Sequence, residues 1–266
     1  MSRVHLFEWE DQPWLPRALR DYITDHLRFT FASPRAENLR RAVADILLPP
    51  LRRSGSDRIV DVCSGGGGPL PALMPLLREG ISSPLRATLT DLYPNVAAFR
   101  QAAAASNGEV SGEERSVSAF DVPAELGSFQ TLFTAFHHFQ PSDAKLVLAD
   151  AAAKKRTLVV IEPFARRNTA VVGIGGFIRG IVLTPSVGKL TPARFLWTYP
   201  IPISAFILGW DGAVSCLRAY TADEMLALAR EAVPDGYHWE AGVKPVPNSP
   251  IGLCITYLIG EPAAQR

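Results

Sequence analysis

The chain has 266 residues, which fits one large domain or two ordinary ones and suffices to bury a core without disulfides or a structural metal. Its 27 basic and 26 acidic residues leave a net charge of +1. This balance disfavours nucleic-acid binding, which depends on clustered positive charge. With 47% hydrophobic residues the chain is too apolar to be disordered.

The cysteines indicate a reducing compartment. Cys63, Cys216 and Cys254 form neither a CxxC pair nor a repeating framework, so zinc ribbons and disulfide scaffolds are disfavoured. The first residues, MSRVHLFEWEDQPW, carry acids where a signal peptide would need an apolar run. We therefore expect a cytoplasmic protein without a metal centre.

No membrane-spanning segment is predicted. The longest lipophilic stretch without a charge is 195–210, which has 16 residues and contains Pro200 and Pro202. A spanning helix needs about 20 apolar residues. Peripheral contact with a membrane through residues 170–210 stays open as an alternative.

Helix-like and strand-like segments follow one another through residues 14–162. Two helices are predicted over 14–28 and 34–48, the second with Ser33 as its N-cap and Pro34 in its first position. Strands are then predicted at 58–62, 87–91, 116–120, 131–136 and 157–162, with helices at 69–78, 95–105 and 143–153. This alternation predicts right-handed crossovers and a largely parallel sheet.

The alternation stops at Pro163. Residues 163–220 are apolar, rich in glycine and aromatic residues, and far longer than a plain crossover requires. Regular structure returns at Thr221, which with Glu224 forms a capping-box pattern before a helix over 222–232. Two further strands at 237–243 and 253–259 are joined by a loop too short for a helix, which predicts an antiparallel pair.

A glycine-rich turn follows the first strand. Residues 59–69 read IVDVCSGGGGP, so a strand carrying an acid leads through glycines into a helix. Small residues let a ligand approach the main chain closely, and a helix N-terminus offers free N–H groups. A dinucleotide-binding turn would need glycine where Leu70 stands, which disfavours a nicotinamide oxidoreductase. A plain turn without ligand would leave four consecutive glycines unused, at about 1 kcal/mol each.

This segment resembles the first motif of the class I S-adenosylmethionine-dependent methyltransferases. That motif has an acid two positions before the first of three alternating glycines, and here it reads Asp61-x-Cys63-x-Gly65-x-Gly67, with Cys63 replacing the first glycine. The resemblance covers roughly residues 55–162 and 221–260. It implies a Rossmann-like, doubly wound α/β fold whose seven-stranded sheet is mostly parallel, with the last strand antiparallel. We expect an N-terminal helical lid (1–54) and a methyltransferase-like domain (55–266) with a cap insert (163–220).

The resemblance also implies S-adenosylmethionine as cofactor and S-adenosylhomocysteine as product. In the family an acid ending the second strand holds the ribose, which corresponds to Asp91, followed by Leu92. Phe120 and Asp121 correspond to the pair that frames the adenine, and Ala135 would lie beside the methionine moiety. Asp91 could instead cap the next helix, and Asp121 could form a turn.

The catalytic candidates follow the fourth and fifth strands. A methyltransferase mainly aligns its acceptor, but a hydroxyl or protonated amine also needs a base. His137 and His138 leave the fourth strand at the carboxyl edge, where α/β sheets bind ligands, and histidine suits proton removal at neutral pH. Glu162, which closes the fifth strand, is the next candidate. All three could instead anchor loops by hydrogen bonds.

The substrate candidates lie in the insert and the first helix. They are Tyr22, Trp197, Tyr199, Trp210 and Asp211, which would supply an apolar lining with a few polar groups. We expect a small, rather apolar acceptor methylated at O, N or C. The same aromatics could form core or a homodimer interface. The chain could also use the cofactor for other chemistry, or act as a peripheral membrane or lipid-binding module.

Overall fold

The computed structural model describes residues 2–81, 84–249 and 251–263. The helices of these ranges are α1 (Arg17–Ala32), α2 (Glu37–Ser54), α3 (Leu70–Glu79), α4 (Val96–Ala105), α5 (Pro141–Ala153), α6 (Thr169–Val182), α7 (Pro192–Thr198), α8 (Ile203–Arg218) and α9 (Ala222–Ala232). The strands are β1 (Arg58–Val62), β2 (Arg86–Leu89), β3 (Val110–Gly112), β4 (Phe129–Phe133), β5 (Thr157–Glu162), β6 (Tyr237–Pro245) and β7 (Cys254–Pro262).

The strands form one seven-stranded sheet in the order β3-β2-β1-β4-β5-β7-β6. Strands β1 to β5 pair in parallel, whereas β7 runs antiparallel to both β5 and β6. The predicted α/β sheet with an antiparallel last strand is therefore confirmed. The strand order reverses between β1 and β4, and ligands of such sheets bind at the carboxyl ends beside that point.

The core lies on both faces of the sheet. One face packs against α2 and α3 and contains Leu47, Leu73 and Phe129. The other packs against α5 and α9 and contains Leu148 and Met225. Strands β4 and β5 are buried at every position, as expected for central strands covered on both sides.

The prediction of the third strand at 116–120 was wrong. The structure places β3 at Val110–Gly112, where Val110 pairs with Ala87 of β2. Asn107 and Gly108 adopt φ angles of 50° and 79°, so a tight turn after α4 returns the chain to the sheet at once. Residues 116–120 lie past the end of β2, where the Val117 N–H donates to the Asp91 carbonyl at 2.9 Å.

Other element boundaries also differ from their predictions, among them those of α2 and β4. Ser33 caps a short 3₁₀ turn (Pro34–Ala36), and α2 then continues through Pro49 and Pro50 to Ser54. Strand β4 ends at Phe133 because Thr134 adopts a φ of 52°, outside the extended region. This turn directs the next residues out of the sheet plane.

The insert forms three helices, α6, α7 and α8. Helix α6 packs closely on α8 because glycines line the contact: a Cβ added at Gly176 would lie 2.6 Å from the Leu208 carbonyl oxygen. After the insert, Thr221 and Glu224 form the predicted capping box of α9.

Within the described ranges, no single helix has the length and apolar character to cross a membrane. By composition alone, α7 and α8 together pass that test, but they are bent by 60° relative to each other.

Candidate functional site

The turn after β1 is held in a left-handed backbone conformation. Cys63, Gly65, Gly67 and Gly68 have φ angles of 58°, 53°, 109° and 57°. Glycine adopts this region without steric cost, whereas a side chain is strained there. Cys63 therefore keeps the conformation that a glycine would supply in the first position of the motif. Burial raises the pKa of its thiol well above the ordinary value, so the thiol stays protonated.

Asp61 is buried beneath this turn. Its carboxylate accepts hydrogen bonds from the hydroxyls of Thr131 and Ser64, both at 2.7 Å. Burial raises the pKa of Asp61 to about 7, although the two hydroxyl hydrogen bonds lower it. Thr131 pairs beside Asp61 because β1 and β4 are neighbours in the sheet.

Asp91 joins the end of β2 to the glycine turn. One carboxylate oxygen accepts the Gly65 N–H at 2.7 Å, and the other accepts the Tyr93 N–H at 2.8 Å. The carboxylate thus fixes the turn from the side of β2, at the position where the family resemblance implies a ribose contact.

A cavity of about 330 Å³, termed the turn cavity here, opens at these strand ends. Of the predicted cofactor residues, Asp61, Cys63, Gly65, Asp91, Leu92 and Ala135 line it. Gly67 lies within the turn but does not line the cavity. Helix α1 covers one side, with Thr24 against Gly66 and Arg28 at the wall; that this helix acts as a lid stays a prediction.

Phe120 and Asp121 lie outside the lining of the turn cavity. Phe120 is exposed and packs edge-on against Phe139, which does line it. The Asp121 side chain is 87% exposed and pairs with Lys154 at 2.7 Å. The predicted adenine contacts of these two residues thus stay predictions. Phe120 is the closer of the two to the turn cavity, because it contacts the lining residue Phe139.

A second cavity of about 400 Å³, termed the insert cavity, lies between α1, α6 and α8. It shares walls with the turn cavity through five residues: Glu10, Leu27, Phe31, Thr134 and His138. Most of its lining is apolar, and its polar groups concentrate near the histidines. The two cavities therefore meet at the carboxyl end of β4.

His137 and Glu162 form a buried pair in the wall of the insert cavity. The Nδ1 atom of His137 lies 2.9 Å from Oε2 of Glu162, and the His137 backbone N–H donates to Oε1 at 3.1 Å. The carboxylate therefore fixes both the ring and the loop that carries it. The Nε2 atom is buried without a hydrogen-bond partner among the described residues; Oε1 of Glu8 lies 3.8 Å away.

His138 belongs to a network of opposite charges. Its Nδ1 lies 2.7 Å from a carboxylate oxygen of Asp11 and 3.5 Å from one of Glu8. The Arg218 guanidinium pairs with the same two residues, at 2.6 Å from Asp11 and 3.4 Å from Glu8. Burial lowers the pKa of His138, but Glu8 and Asp11 outweigh it and raise the pKa to about 10. His138 is therefore a cation at neutral pH, unsuited to accept a proton.

Glu10 and Asp211 bring further carboxyl groups to the junction. Burial raises the pKa of Glu10 to about 8, with Asp211 adding to the effect. Burial likewise raises the pKa of Asp211 to about 7, although its carboxylate accepts the N–H groups of Trp9 and Glu10, at 2.9 and 3.2 Å. Asp211 thereby holds the N-terminal segment over the cavity.

Of the predicted substrate residues, only Asp211 lines a cavity at this site. Tyr22 is buried, with its hydroxyl bonded to Thr184 and Thr198. Trp210 donates to the Phe7 carbonyl at 3.0 Å. Trp197 and Tyr199 lie on the surface of the insert. These four therefore support the insert or form its surface.

Glu8, His137 and His138 place three potential metal ligands within 4.8 Å of one another. The cations Arg218 and His138 already balance the carboxylates of Glu8 and Asp11. The cluster therefore needs no metal ion for charge balance.

Sequence reasoning missed Glu8, Glu10, Asp11 and Thr134. The first three lie in an irregular segment that has no periodicity to interpret, and they reach the histidines only through tertiary contacts. Thr134 lines both cavities. Its left-handed conformation has no sequence signal of its own.

The strand order and the cavity at its reversal define a Rossmann-like fold of the class I methyltransferase type, so the resemblance found in the sequence is confirmed for the fold. No protein-family model and no curated protein matches the chain. Solved structures do: TnmH is 22% identical with a TM-score of 0.53, over 96% of this chain and 61% of TnmH. At this identity the likeness concerns the fold.

Other similar structures are methyltransferases. One is NcsB1, an O-methyltransferase from neocarzinostatin biosynthesis, solved with S-adenosylmethionine and 2-hydroxy-5-methyl naphthoic acid. It is 18% identical to this chain with a TM-score of 0.47, and the match covers 80% of this chain and 51% of the NcsB1 chain. An O-methyltransferase family protein from Burkholderia thailandensis is 15% identical with a TM-score of 0.48, over 89% and 63%. The chain thus spans between half and two-thirds of the length of these three structures.

Proposed function

We propose that the protein transfers a methyl group from S-adenosylmethionine to a hydroxyl group of a small, rather apolar acceptor. The observation that supports this function is the meeting of two cavities at β4. One is built on a glycine turn between Asp61 and Asp91, and the other is apolar and contains the unpartnered Nε2 of His137. Enzymes that join two substrates gain much of their rate from such placement.

The residues of the turn cavity fit S-adenosylmethionine. The turn leaves its backbone open to close approach, and Asp91 presents a carboxylate suited to ribose hydroxyls. Two further acids, Asp11 and Asp21, line the wall and suit a ligand that carries an ammonium and a sulfonium. When bound, the cofactor would supply an electrophilic methyl group.

His137 is the proposed base. Glu162 holds Nδ1, which leaves Nε2 to accept the hydroxyl proton as the acceptor oxygen gains its methyl group. The carboxylate also stabilises the imidazolium that forms. His138 already carries a proton and instead adds positive charge at the junction, which favours an acceptor oxygen that becomes negative.

Calorimetric titration with S-adenosylmethionine and S-adenosylhomocysteine tests the cofactor site. We expect micromolar binding of both by the wild type and a roughly 10- to 100-fold loss in Asp91→Ala, because a charged hydrogen-bond partner contributes about 1.5–3 kcal/mol. Asp235→Ala is the matched control, since this exposed acid between α9 and β6 lines neither cavity. Absence of binding by the folded wild type would overturn the proposed function.

Acceptor turnover is then measured as S-adenosylhomocysteine formed with a panel of hydroxylated aromatic compounds. Binding of the cofactor without its turnover on any acceptor would favour a different chemistry on the same fold. A predicted cytoplasmic location and a homodimer are independent of this result and stay predictions.

We propose as a second function peripheral contact with an anionic lipid surface. Large apolar side chains are exposed along the insert, among them Ile174, Ile178 and Phe206, and the insert also carries the exposed cations Arg167 and Lys189. Apolar groups flanked by cations suit a membrane of negative charge. Co-sedimentation of the wild type with phosphatidylserine vesicles would support this second function if it is lost in the double variant Ile174→Glu/Ile178→Glu and is not seen with phosphatidylcholine vesicles. Recovery of the wild type and the double variant in the supernatant to the same extent would contradict this function.

A further inference from the structure

Arg179 differs from the other arginines around the insert cavity. Three arginines of the insert are paired with carboxylates: Arg166 with Glu224, Arg194 with Asp25, and Arg218 with Glu8 and Asp11. Arg179 lines the insert cavity, and within the described ranges its guanidinium donates only to the Thr30 hydroxyl, at 3.0 Å, with no carboxylate in ion-pair distance.

In the part of the chain that the structure describes, no carboxylate pairs with Arg179. Burial lowers the pKa of its guanidinium, with no acid opposing the effect. The neighbouring His26 is neutral at pH 7, because burial, with Arg179 and Arg194, lowers its pKa to about 4. Because Arg179 is solvent-exposed, it lies at the opening of the cavity as a cation that has no carboxylate partner among the described residues. A guanidinium in this position can exchange water for the carboxylate of a bound ligand in a charge-assisted hydrogen bond.

The opposite end of the cavity has the reverse character. Glu8, Glu10 and Asp211 cluster there beside the histidines, and His138 and Arg218 are already paired with the Glu8 carboxylate, so neither of these two cations is left without a partner for an anionic group of the ligand. Val172 of α6 packs at this end, against Gly212 next to Asp211. Arg179 follows seven residues later on the same helix, which corresponds to about 10 Å along its axis. The cavity therefore has a hydroxyl-accepting end and a cationic end.

The wall between these ends suits a flat molecule. Gly175 lines the cavity, and a Cβ added there would meet no atom within 4 Å. The missing side chain thus leaves open space along α6. Phe31 and Phe164 add aromatic faces to the same cavity.

We propose that the acceptor is a flat, apolar hydroxy acid whose carboxylate binds Arg179 while its hydroxyl lies at His137, in the opposite part of the insert cavity. The planar guanidinium matches a carboxylate through two parallel hydrogen bonds, so Arg179 determines both acceptor class and orientation. This proposal rests on the proposed methyl transfer, because it takes the insert cavity as the acceptor site.

Direct binding tests the proposal without requiring turnover. The probes are a hydroxynaphthoate with its hydroxyl and carboxylate at opposite ends of the ring system, and the matching carboxamide. We expect the wild type, saturated with S-adenosylhomocysteine, to bind the acid at least about tenfold more tightly than the amide, a difference of about 1.4 kcal/mol. Arg179→Gln should abolish this preference, and Arg179→Lys should restore part of it.

Arg167→Gln is the matched control, because Arg167 is an exposed cation of the insert that does not line this cavity. It should keep the preference for the acid. Equal affinities for acid and amide in the wild type, a preference that persists in Arg179→Gln, or no binding of either probe would overturn the proposal. S-adenosylhomocysteine binding is measured in the same samples, so failure of the cofactor site is distinguished from failure of the acceptor assignment.

Discussion

The two cavities of this protein are built in different ways. The turn cavity is framed mainly by short, consecutive segments at the ends of β1, β2 and β4, with α1 as a cover. The insert cavity combines the N-terminal segment, α1, the loop after β4, α6 and α8. The first is a property of the sheet, whereas the second depends on contacts such as that of the Asp211 carboxylate with the N–H of Trp9, residues that are 202 positions apart. Cofactor binding and acceptor binding should therefore be separable by mutation.

The largest difference between the effect on turnover and the effect on cofactor binding is expected at the proposed base. His137→Gln should lower kcat by about 10²- to 10⁴-fold, because general-base catalysis contributes on that scale. Since His137 does not line the turn cavity, S-adenosylmethionine affinity should not change. Single-turnover rates and calorimetry check the two quantities. His238→Gln, a change at an exposed histidine on β6, is the control; an equal loss in both variants would contradict the assignment.

A second separation is expected at the wall of the insert cavity. Gly175→Leu should fill open space, weaken acceptor binding by at least about tenfold and leave cofactor binding intact. The fold should be retained, because replacing a mid-helix glycine with a better helix former is favourable by up to about 1 kcal/mol. Gly176→Ala provides the contrast: its Cβ would meet the Leu208 carbonyl at 2.6 Å, so the free energy of unfolding should fall.

The charge network at the junction should make stability depend on pH. The pKa of His138 is raised to about 10 in the fold, above its ordinary value of 6.5. Its contribution is therefore fully present below pH 6.5 and is lost as the pH rises through 10. Between these values the wild type should lose stability more steeply than His138→Gln, by up to about 1.4 kcal/mol per pH unit. Urea unfolding of both proteins across this pH range measures the difference in slope. If the free energy of unfolding of the two proteins depends on pH in the same way, His138 is not charged in the fold.

The smallest effect is expected at Cys63. Because its φ is 58°, Cys63→Gly should raise the free energy of unfolding by about 1 kcal/mol or less, with cofactor affinity unchanged within about twofold. Cys63→Val should lower it, since a β-branched residue is more strained in this conformation. Thermal and urea unfolding of the two variants check the direction. A stabilising valine would show that the turn has a different conformation in solution.

The sequence alone determined most strands of the sheet, the glycine turn and the position of Asp61 and Asp91 near the ends of the first two strands, because these depend on short-range hydrophobic patterns and turn chemistry. It misplaced β3, since 110–112 and 116–120 both suit a strand and only the turn at Asn107 and Gly108 decides between them.

Only the tertiary structure decided which groups surround the histidines. Glu8 and Asp11 meet both His138 and Arg218 through contacts between segments more than a hundred residues apart, and no local pattern encodes such pairs. It also placed Asp121 outside the cavity lining and left Arg179 within the insert cavity without a carboxylate partner. Side-chain environment is set by packing between distant elements, which periodicity along the chain does not specify.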